Sequence, residues 1–358
     1  MTNLRGAVIG CGRMGAFTSE LMLKWAPNCW HPLSHCEAIS TSPDVDLMAV
    51  CDIDISQVNR AQARFPGVSG FINYEELINC INPEILGVAT RTNDRTKIIS
   101  HAVTKGVRGL HLEKPLCNNM MELESIATIF KTHKLVCTYG TLRRYIPIYS
   151  RARELVRSGR FGTLLEIQVC FGSASLMWTH PHSFDMLSFF AEDADVITVS
   201  ARFNDEGSER KGSFLDGDPI VESVTVEFKT GVTGIITQAG GNDVILTCSR
   251  GSITIESGGR RIRRRESLGG GDPYWDSYTT DSFVKDSGGT RFAIDRLVTG
   301  IRNPSTKFIS EDKNAILAGQ RALFASVQSH FEGGRAISPQ QLDPMLGISG
   351  RNSQGLFA

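Results

Sequence analysis

The alternation of strand and helix patterns over the first 140 residues constrains the fold of this chain most. An apolar segment at residues 4–10 runs into GCGRMG and then into AFTSELMLKW, whose apolar residues recur at helical spacing. Amphipathic helix patterns then separate four more strand patterns: VDLMAVCD, PEILGVAT, VRGLHLEKP and LVCTYG. Such alternation predicts a parallel sheet with helices on both faces.

The pattern changes near residue 140. LLEIQVCFG, DVITVSARFN, ESVTVEFKT, VTGIITQAG, DVILTCSR and SITIES have the composition of strands joined by short turns. We predict helices at YSRARELVRSG, at TRFAIDRLVTGIRN and at EDKNAILAGQRALFASVQSHF, the last with Ser310 as its N-cap, and a flexible loop at SLGGGDP, residues 267–273. This half therefore predicts a mostly antiparallel sheet with a few helices.

Composition narrows the class of protein. The chain has 358 residues, enough for two cores, and its 38 basic and 38 acidic side chains balance. No overall field attracts nucleic acid or an anionic membrane, so we expect a small-molecule partner. Nine cysteines without CxxC spacing, no secretory leader and no long apolar run favour a cytoplasmic protein with free thiols.

The glycine-rich turn predicts a dinucleotide site. Gly10, Gly12 and Gly15 have GxGxxG spacing between a strand and a helix pattern, with Arg13 and Met14 inside the turn. The first glycine permits the tight turn, the second lets backbone approach a pyrophosphate, and the third allows close packing of helix and strand. We therefore predict an α/β fold with an N-terminal Rossmann dinucleotide-binding domain at 1–140. A C-terminal α+β domain at 141–358 would carry a mostly antiparallel, open-faced sheet. The alternative to dinucleotide binding is that GCGRMG forms a purely structural turn between the strand and the helix.

Asp52 at the end of the second strand favours NAD over NADP. A carboxylate there can accept hydrogen bonds from the adenine ribose hydroxyls and would repel a 2′-phosphate. Asp54 adds negative charge nearby, whereas Arg13 is a conceivable phosphate ligand. The interval from the glycines to Asp52 is long because residues 24–43 are inserted between the predicted helix and strand. The alternative is a solvated carboxylate at a strand end.

The inserted segment contains CWHPLSHC, with Cys29, His31, His35 and Cys36 close together. These are zinc-ligating residue types, but their spacing does not match the usual paired arrangement of zinc ligands. Buried or partly exposed cysteine and histidine are common without a metal. We predict no metal site.

LHLEKPLC, residues 110–117, ends an apolar strand pattern on a charged pair and a proline. With the features above, it makes the chain resemble the glucose-fructose oxidoreductase and inositol dehydrogenase superfamily, Gfo/Idh/MocA, over nearly its full length. The resemblance rests on GCGRMG, Asp52, VATRTND at 88–94, HLEKPL at 111–116 and a histidine near a helix start in the second half. It implies a cis peptide bond before Pro115 that presents Lys114 to the nicotinamide. The alternative is a surface ion pair between Glu113 and Lys114. The implied cofactor contacts are Gly10, Gly12, Arg13, Met14, Gly15, Asp52, Thr90, Asn93, Glu113 and Lys114.

The resemblance places the acid/base group in SLMWTHPHSFDMLSFF. The family pattern D-x-x-x-H-x-x-D aligns His182 with the catalytic histidine and Asp185 with the second aspartate. Trp178 stands where the first aspartate is expected, which leaves open whether His180 shares the role of His182. A structural histidine that caps the helix is the alternative. Histidine titrates near neutrality, which suits a base that removes a hydroxyl proton.

The segment TLRRYIP resembles the family's substrate-side segment, with a solvated basic turn as the equal alternative. The predicted substrate-binding residues are Lys114, Arg143, Arg144, Tyr145, Trp178, His180, His182 and Asp185. The predicted activity is NAD-dependent oxidation of a secondary hydroxyl of a sugar, sugar nucleotide or cyclitol, with the two arginines available to a diphosphate. A catalytically silent dinucleotide or sugar sensor is the alternative. The apolar residues on the open sheet face predict a homodimer or homotetramer.

Overall fold

The computed structural model describes residues 2–266, 275–279 and 287–350, so the loop predicted at 267–273 lies outside the described residues. The strands are β1 (Leu4–Ile9), β2 (Val45–Cys51), β3 (Ser69–Phe71), β4 (Ile85–Val88), β5 (Gly109–Leu112), β6 (Val136–Tyr139), β7 (Leu164–Cys170), β8 (Val196–Asn204), β9 (Glu209–Lys211), β10 (Phe214–Asp216), β11 (Ile220–Phe228), β12 (Thr233–Thr237), β13 (Asp243–Cys248), β14 (Gly251–Glu256), β15 (Arg261–Glu266), β16 (Trp275–Thr279) and β17 (Gly347–Ile348). The helices are α1 (Glu20–Trp25), α2 (His35–Thr41), α3 (Ile55–Arg64), α4 (Tyr74–Ile81), α5 (Arg95–Thr104), α6 (Met120–Thr132), α7 (Pro147–Arg157), α8 (Leu176–Thr179), α9 (Pro181–Phe190), α10 (Gly289–Arg302) and α11 (Thr306–Phe331).

The first six strands form a parallel sheet in the order β3-β2-β1-β4-β5-β6. Strands β4, β5 and β6 are buried along their whole length, as expected for a sheet covered by helices on both faces. The strand order reverses between β1 and β4, so the crevice at their carboxyl ends is the place where such sheets bind ligands. The predicted parallel sheet is confirmed.

The first crossover helix differs from the prediction. The segment AFTSELMLKW was expected to be helical throughout, but only its last six residues form a helix, α1. None of the residues of α1 is buried. The chain instead makes one turn after Gly12, leaves the sheet, and returns at α2, where His35 N donates to Met14 O at 2.8 Å. Residues 18–34 are therefore an insertion inside the crossover helix and not after it. This insertion contacts the second half of the chain, so its conformation depends on residues far away in sequence.

The second sheet has eight strands in the order β16-β15-β14-β13-β7-β12-β11-β8, and of their pairings only β7 with β12 is parallel. All six strands predicted for this half are present, and the α/β fold class is confirmed. The prediction missed β9, β10 and β15 to β17. Helices α9 and α11 pack on one face of the sheet, while Thr225, Ile235 and Ile245 on the opposite face are partly exposed.

The last two helices pack differently on the two sheets. Helix α10 lies against the first sheet, where Ile294 and Leu297 share a core with Val8 and Ile85. Helix α11 packs on both β6 and β8. It begins at Thr306, because the Ser305 hydroxyl accepts from Phe308 N at 3.1 Å. The prediction that Ser310 caps this helix was wrong, since Ser310 lies inside it.

A helix that crosses a bilayer must be both long and apolar, and the helices of the described ranges can be judged by these two requirements. None of them meets both requirements.

Candidate active site

In the glycine turn at the carboxyl end of β1, Gly10 and Gly15 leave no room for a side chain, whereas Gly12 has open space beside it. Gly10 has φ +95°, and a Cβ there would lie 2.7 Å from the Ala89 carbonyl carbon. A Cβ on Gly15 would lie 1.7 Å from the Gly10 oxygen, whereas a Cβ on Gly12 would meet nothing within 4 Å. Backbone is thus exposed at Gly12 with room beside it, which fits the approach of a pyrophosphate.

Asp52 is held against this turn by backbone donors. Its Oδ2 accepts from Cys11 N at 2.7 Å and its Oδ1 accepts from Asp54 N at 3.0 Å. The carboxylate is partly exposed, and each oxygen keeps a second lone pair for an additional hydrogen bond. This arrangement fits the two hydroxyls of a ribose. The Asp54 side chain accepts from Ser56 N at the start of α3 and so acts as an N-cap.

Thr90 lies at the same edge of the sheet, because its backbone nitrogen is among the atoms nearest to Gly10. Its hydroxyl is buried and has no hydrogen-bond partner within the described ranges, so it is available to a ligand. Asn93 is exposed on a short turn, and its Oδ1 accepts from Asn118 Nδ2 at 3.4 Å. The residues present at this edge fit a dinucleotide.

Glu113 differs from the prediction. Its carboxylate is buried, with Oε1 3.2 Å from His35 Nε2, and its Oε2 accepts from Lys114 N. Hydrogen bonding and charge from His35 outweigh the effect of burial and lower the pKa of Glu113 to about 2. A Cβ on Gly140 would lie 2.9 Å from the carboxylate, so glycine is needed there. We therefore assign Glu113 to a buried pair rather than to direct cofactor contact.

The cysteines and histidines of the segment CWHPLSHC, residues 29–36, do not converge on one point. The Cys29 thiol contacts the Gly259 carbonyl oxygen at 3.7 Å, whereas His35 pairs with Glu113. His111 lies beside His35, with ring centroids 4.4 Å apart, and its Nδ1 is 3.0 Å from Thr138 Oγ1. His35, His111 and Glu113 are the one group in the described part of the chain whose ligand atoms lie close enough to hold a metal ion.

Arg95 is a residue that the sequence analysis missed. Its guanidinium is buried and donates to three carbonyl oxygens, those of Thr90, Glu113 and Pro115, with 2.5 Å to Glu113 O. It thereby joins the end of β4 to the segment that follows β5. The Lys114–Pro115 bond is cis, in agreement with the expectation. Nothing in the local sequence marks this arginine, because its three acceptors are backbone atoms.

Lys114 reaches across to the second half of the chain. Its Nζ donates to the Trp178 carbonyl oxygen at 2.6 Å and lies 4.2 Å from the centroid of the Trp178 ring. Burial lowers the pKa of Lys114 to about 8, against the opposing charges of Glu113 and Asp218. Asp218 was not predicted. Its Oδ1 accepts from Met177 N at 2.7 Å, which places a carboxylate beside the segment that carries Trp178.

Trp178 lies where the family pattern has an aspartate, and it marks the junction of the two halves. Its side chain is 46% exposed, and the Arg13 guanidinium lies 5.4 Å from its ring centroid. Arg13 of the glycine turn and Lys114 therefore both lie against the indole of Trp178, a residue of the second half of the chain. A backbone carbonyl and an aromatic face contact Lys114 here, where a carboxylate was expected.

The two histidines of α8 and α9 have different environments. His180 is fully buried, its Nδ1 is 3.0 Å from Ser183 Oγ, and burial lowers its pKa to about 4. His182 is partly exposed, and its buried Nδ1 has no partner among the residues that the structure describes. Burial, followed by the charges of Arg143 and Lys114, places the pKa of His182 well below its usual value. His182 is therefore neutral at pH 7 and able to accept a proton, whereas His180 has a structural position.

Arg144 and Tyr145 also differ from the prediction. Arg144 is buried, with Nε 2.7 Å from Asp185 Oδ1 and a second nitrogen 3.1 Å from Asp193 Oδ1. The Tyr145 hydroxyl accepts from Tyr139 N at 3.1 Å. These side chains bind their own chain, so we do not retain Arg144, Tyr145 or Asp185 as direct substrate ligands.

The fold defines a class of protein, one with a Rossmann-like parallel sheet, a glycine turn at the point where its strand order reverses, and a second, mostly antiparallel sheet. Residues 4–141 match the GFO_IDH_MocA family model, described as an oxidoreductase family with an NAD-binding Rossmann fold. An uncharacterized oxidoreductase of Schizosaccharomyces pombe is 24% identical over 168 residues, which cover 47% of this chain and 42% of that protein. The chain thus matches less than half of the length of this relative.

Two other proteins are similar over more of their length. Myo-inositol 2-dehydrogenase of Thermotoga maritima is 23% identical over 247 residues, covering 65% of this chain and 67% of that protein. The crystal structure of the WlbA dehydrogenase of Chromobacterium violaceum, in complex with NADH and UDP-GlcNAcA, has a TM-score of 0.71 at 17% identity. That alignment covers 96% of this chain and 97% of the WlbA chain. Residues 4–141 of this chain are therefore similar to the NAD-binding Rossmann domain of the Gfo/Idh/MocA oxidoreductases.

Proposed function

We propose that this protein is an NAD-dependent oxidoreductase that interconverts a secondary hydroxyl and a ketone on a small polyhydroxylated molecule. The observation that carries the proposal is that Lys114, from the first half of the chain, donates to the Trp178 carbonyl oxygen and that its charge lowers the pKa of His182, so both side chains lie in one region. The match of residues 4–141 to an oxidoreductase family with an NAD-binding Rossmann fold supports hydride transfer as the reaction class.

His182 and Lys114 have complementary roles in this proposal. In the oxidation direction, neutral His182 accepts the hydroxyl proton, while the Lys114 ammonium donates a hydrogen bond to the same oxygen as it becomes a carbonyl. One of the three ammonium donors is used on the Trp178 carbonyl, which leaves donors for the substrate. NAD, when bound, supplies the hydride acceptor.

The cofactor preference rests on Asp52. Its carboxylate faces the glycine turn and would accept hydrogen bonds from ribose hydroxyls, whereas a 2′-phosphate there would meet a fixed negative charge. Thr90, whose hydroxyl has no hydrogen-bond partner among the described residues, and Arg13 are additional candidates for contact with the dinucleotide. We therefore propose NAD and not NADP as the physiological cofactor.

Hydride transfer tests the proposal directly. Purified protein with NAD and a panel of inositols, free sugars and sugar nucleotides should show a change in absorbance of reduced nicotinamide with at least one substrate. Trp178 in place of an acidic residue favours the second candidate, a dinucleotide-binding sensor. NADH binding with no turnover across the panel would support the sensor, and turnover of only simple aliphatic alcohols would contradict both.

We also propose that the protein is a homodimer or homotetramer formed through the open face of the second sheet. Partly exposed Ile235 and Ile245 on that face support the proposal, because a wide sheet face that carries such residues is commonly covered by a second copy. Solution scattering at micromolar concentration should give at least twice the mass of one chain. A monomer would contradict it.

A further inference from the structure

The side chains of the adjacent residues Arg143 and Arg144 are both buried, but among the described residues only Arg144 has a carboxylate within ion-pair distance. Arg144 pairs with Asp185 and Asp193, and these carboxylates raise its pKa above the ordinary value. Arg143 is 4% exposed, and no carboxylate in the described ranges lies within ion-pair distance of it. Burial lowers its pKa.

The charge of Asp185 opposes the effect of burial on the pKa of Arg143, but that carboxylate pairs directly with Arg144 and lies beyond ion-pair distance of Arg143. Its NH2 nitrogen is 3.4 Å from Asn242 Oδ1, and its Nε has no hydrogen-bond partner within the described residues. Tyr149 and Cys29 lie near it, but burial raises their pKa values to about 12 and about 11, so both are neutral at pH 7.

Aromatic rings fix the guanidinium in this position. The guanidinium carbon lies 4.4 Å from the centroid of the Trp30 ring and 4.2 Å from that of Phe171. Trp30 belongs to the insertion at 18–34, and its Nε1 donates to Gly258 O at 2.7 Å. Gly258 has φ +72°, and a Cβ there would lie 2.9 Å from the Trp30 ring. An inserted segment and a glycine hairpin thus hold a charge that no carboxylate of the described residues contacts directly.

The uncompensated charge lies on the substrate side of the proposed site. The short turn that carries Arg143 packs against α9, the helix with His182. Among the charged groups that lower the pKa of His182, Arg143 has the largest effect, so the two side chains lie near each other. Each has a buried nitrogen without a partner in the described ranges. A ligand between them would meet a donor fork and an imidazole.

We infer that Arg143, held by Trp30 and Phe171, binds an anionic substituent of the substrate, a carboxylate or a phosphate on a polyhydroxylated molecule. A buried guanidinium is unfavourable without a partner, and carboxylates and phosphates match its fork of donors. The inference rests on the proposed function for the location of the substrate. It replaces the expectation that both arginines bind a diphosphate, because Arg144 is already paired.

Ligand binding to the NADH complex tests the inference without requiring turnover. Calorimetric titration with D-glucose, D-glucuronate and D-glucose 6-phosphate compares one ring with a neutral, a carboxylate and a phosphate substituent. At least one anionic sugar should bind at least about tenfold more tightly than glucose, and the better of the two identifies the anion. Arg143→Met should abolish the preference. Equal affinity of all three ligands, or no binding of any, would overturn the inference.

Stability of the ligand-free protein separates a binding role from a structural one. Removal of an uncompensated buried charge should leave the Tm of Arg143→Met unchanged or higher. Arg143→Lys, which keeps a charge, should retain part of the preference for the anionic sugar. If Arg143→Met misfolds or loses Tm while folded Arg143→Lys binds glucose and the anionic sugars equally, Arg143 is structural and the inference fails.

Discussion

The protonation state of Lys114 should set the alkaline limit of activity. Burial lowers its pKa from 10.5 to about 8, and Glu113 and Asp218 offset only part of that effect. At pH 7 about nine-tenths of the molecules would carry the ammonium, and at pH 9 only about one-tenth would. In the proposed mechanism the ammonium stabilises the developing negative charge on the substrate oxygen, so kcat/KM should fall about tenfold for each pH unit well above 8.

Two substitutions at Lys114 should change this profile in different ways. Lys114→Met removes the donor, so activity should fall by roughly 10²–10³-fold and the remaining activity should lack the decline above pH 8. Lys114→Arg keeps a charge that does not titrate in this range, so its lower activity should remain level to pH 10. Lys97→Met removes an exposed ammonium and is the matched control, with an unchanged profile expected.

The assay is the initial rate of nicotinamide absorbance change at low substrate concentration, measured from pH 6 to pH 10 in buffers of constant ionic strength. Circular dichroism at each pH checks that the protein stays folded. A wild-type profile that is level from pH 7 to pH 10 would refute the reasoning. So would a decline that persists in Lys114→Met, because another group would then be responsible.

Three further outcomes are expected. Asp52→Ala should narrow the difference in affinity between NADH and NADPH, measured by fluorescence titration, and tighter binding of NADPH to the unmutated protein would contradict the assignment. His182→Ala should lower turnover roughly 10²–10⁴-fold with little change in NADH affinity. Loss of activity in His180→Ala but not in His182→Ala would instead identify His180 as the base. Glu113→Gln should lower the free energy of unfolding by about 3 kcal/mol at pH 7, since the pKa of Glu113 is lowered from 4.5 to about 2. That stabilisation is complete above pH 4.5 and is lost as pH falls toward 2, so thermal unfolding curves of wild type and variant should converge with acidity, and an equal difference in Tm at pH 7 and pH 3 would show that the charge is not the cause.

Much of the fold was predictable because its signals are local. Strand and helix periodicity identified every strand of the parallel sheet except the three-residue β3, and six strands of the second sheet. Short strands such as β9 and β17 were missed, since two or three residues carry no measurable periodicity. The first crossover helix was misplaced because the pattern continues into the insertion, while the helix resumes only at His35.

The site divides in a similar way. Gly10, Gly15 and Asp52 could be predicted because each acts through its own backbone geometry or its place at a strand end. Glu113 could not be assigned, because its partner His35 comes from an element 78 residues away in sequence. Arg95 was missed because it binds backbone carbonyls, which carry no sequence signal.

The two arginines of RRY show most clearly what the sequence alone determined and what required the tertiary structure. The sequence placed two adjacent guanidinium groups at the start of the second half, and nothing in it distinguishes them. In the folded chain, Arg144 meets Asp185 and Asp193, whereas Arg143 lies between Trp30 and Phe171. Residue type determines which charge is present, but the surroundings of a buried charge come from distant elements. Only the packing of those elements decides whether that charge is neutralised or left for a ligand.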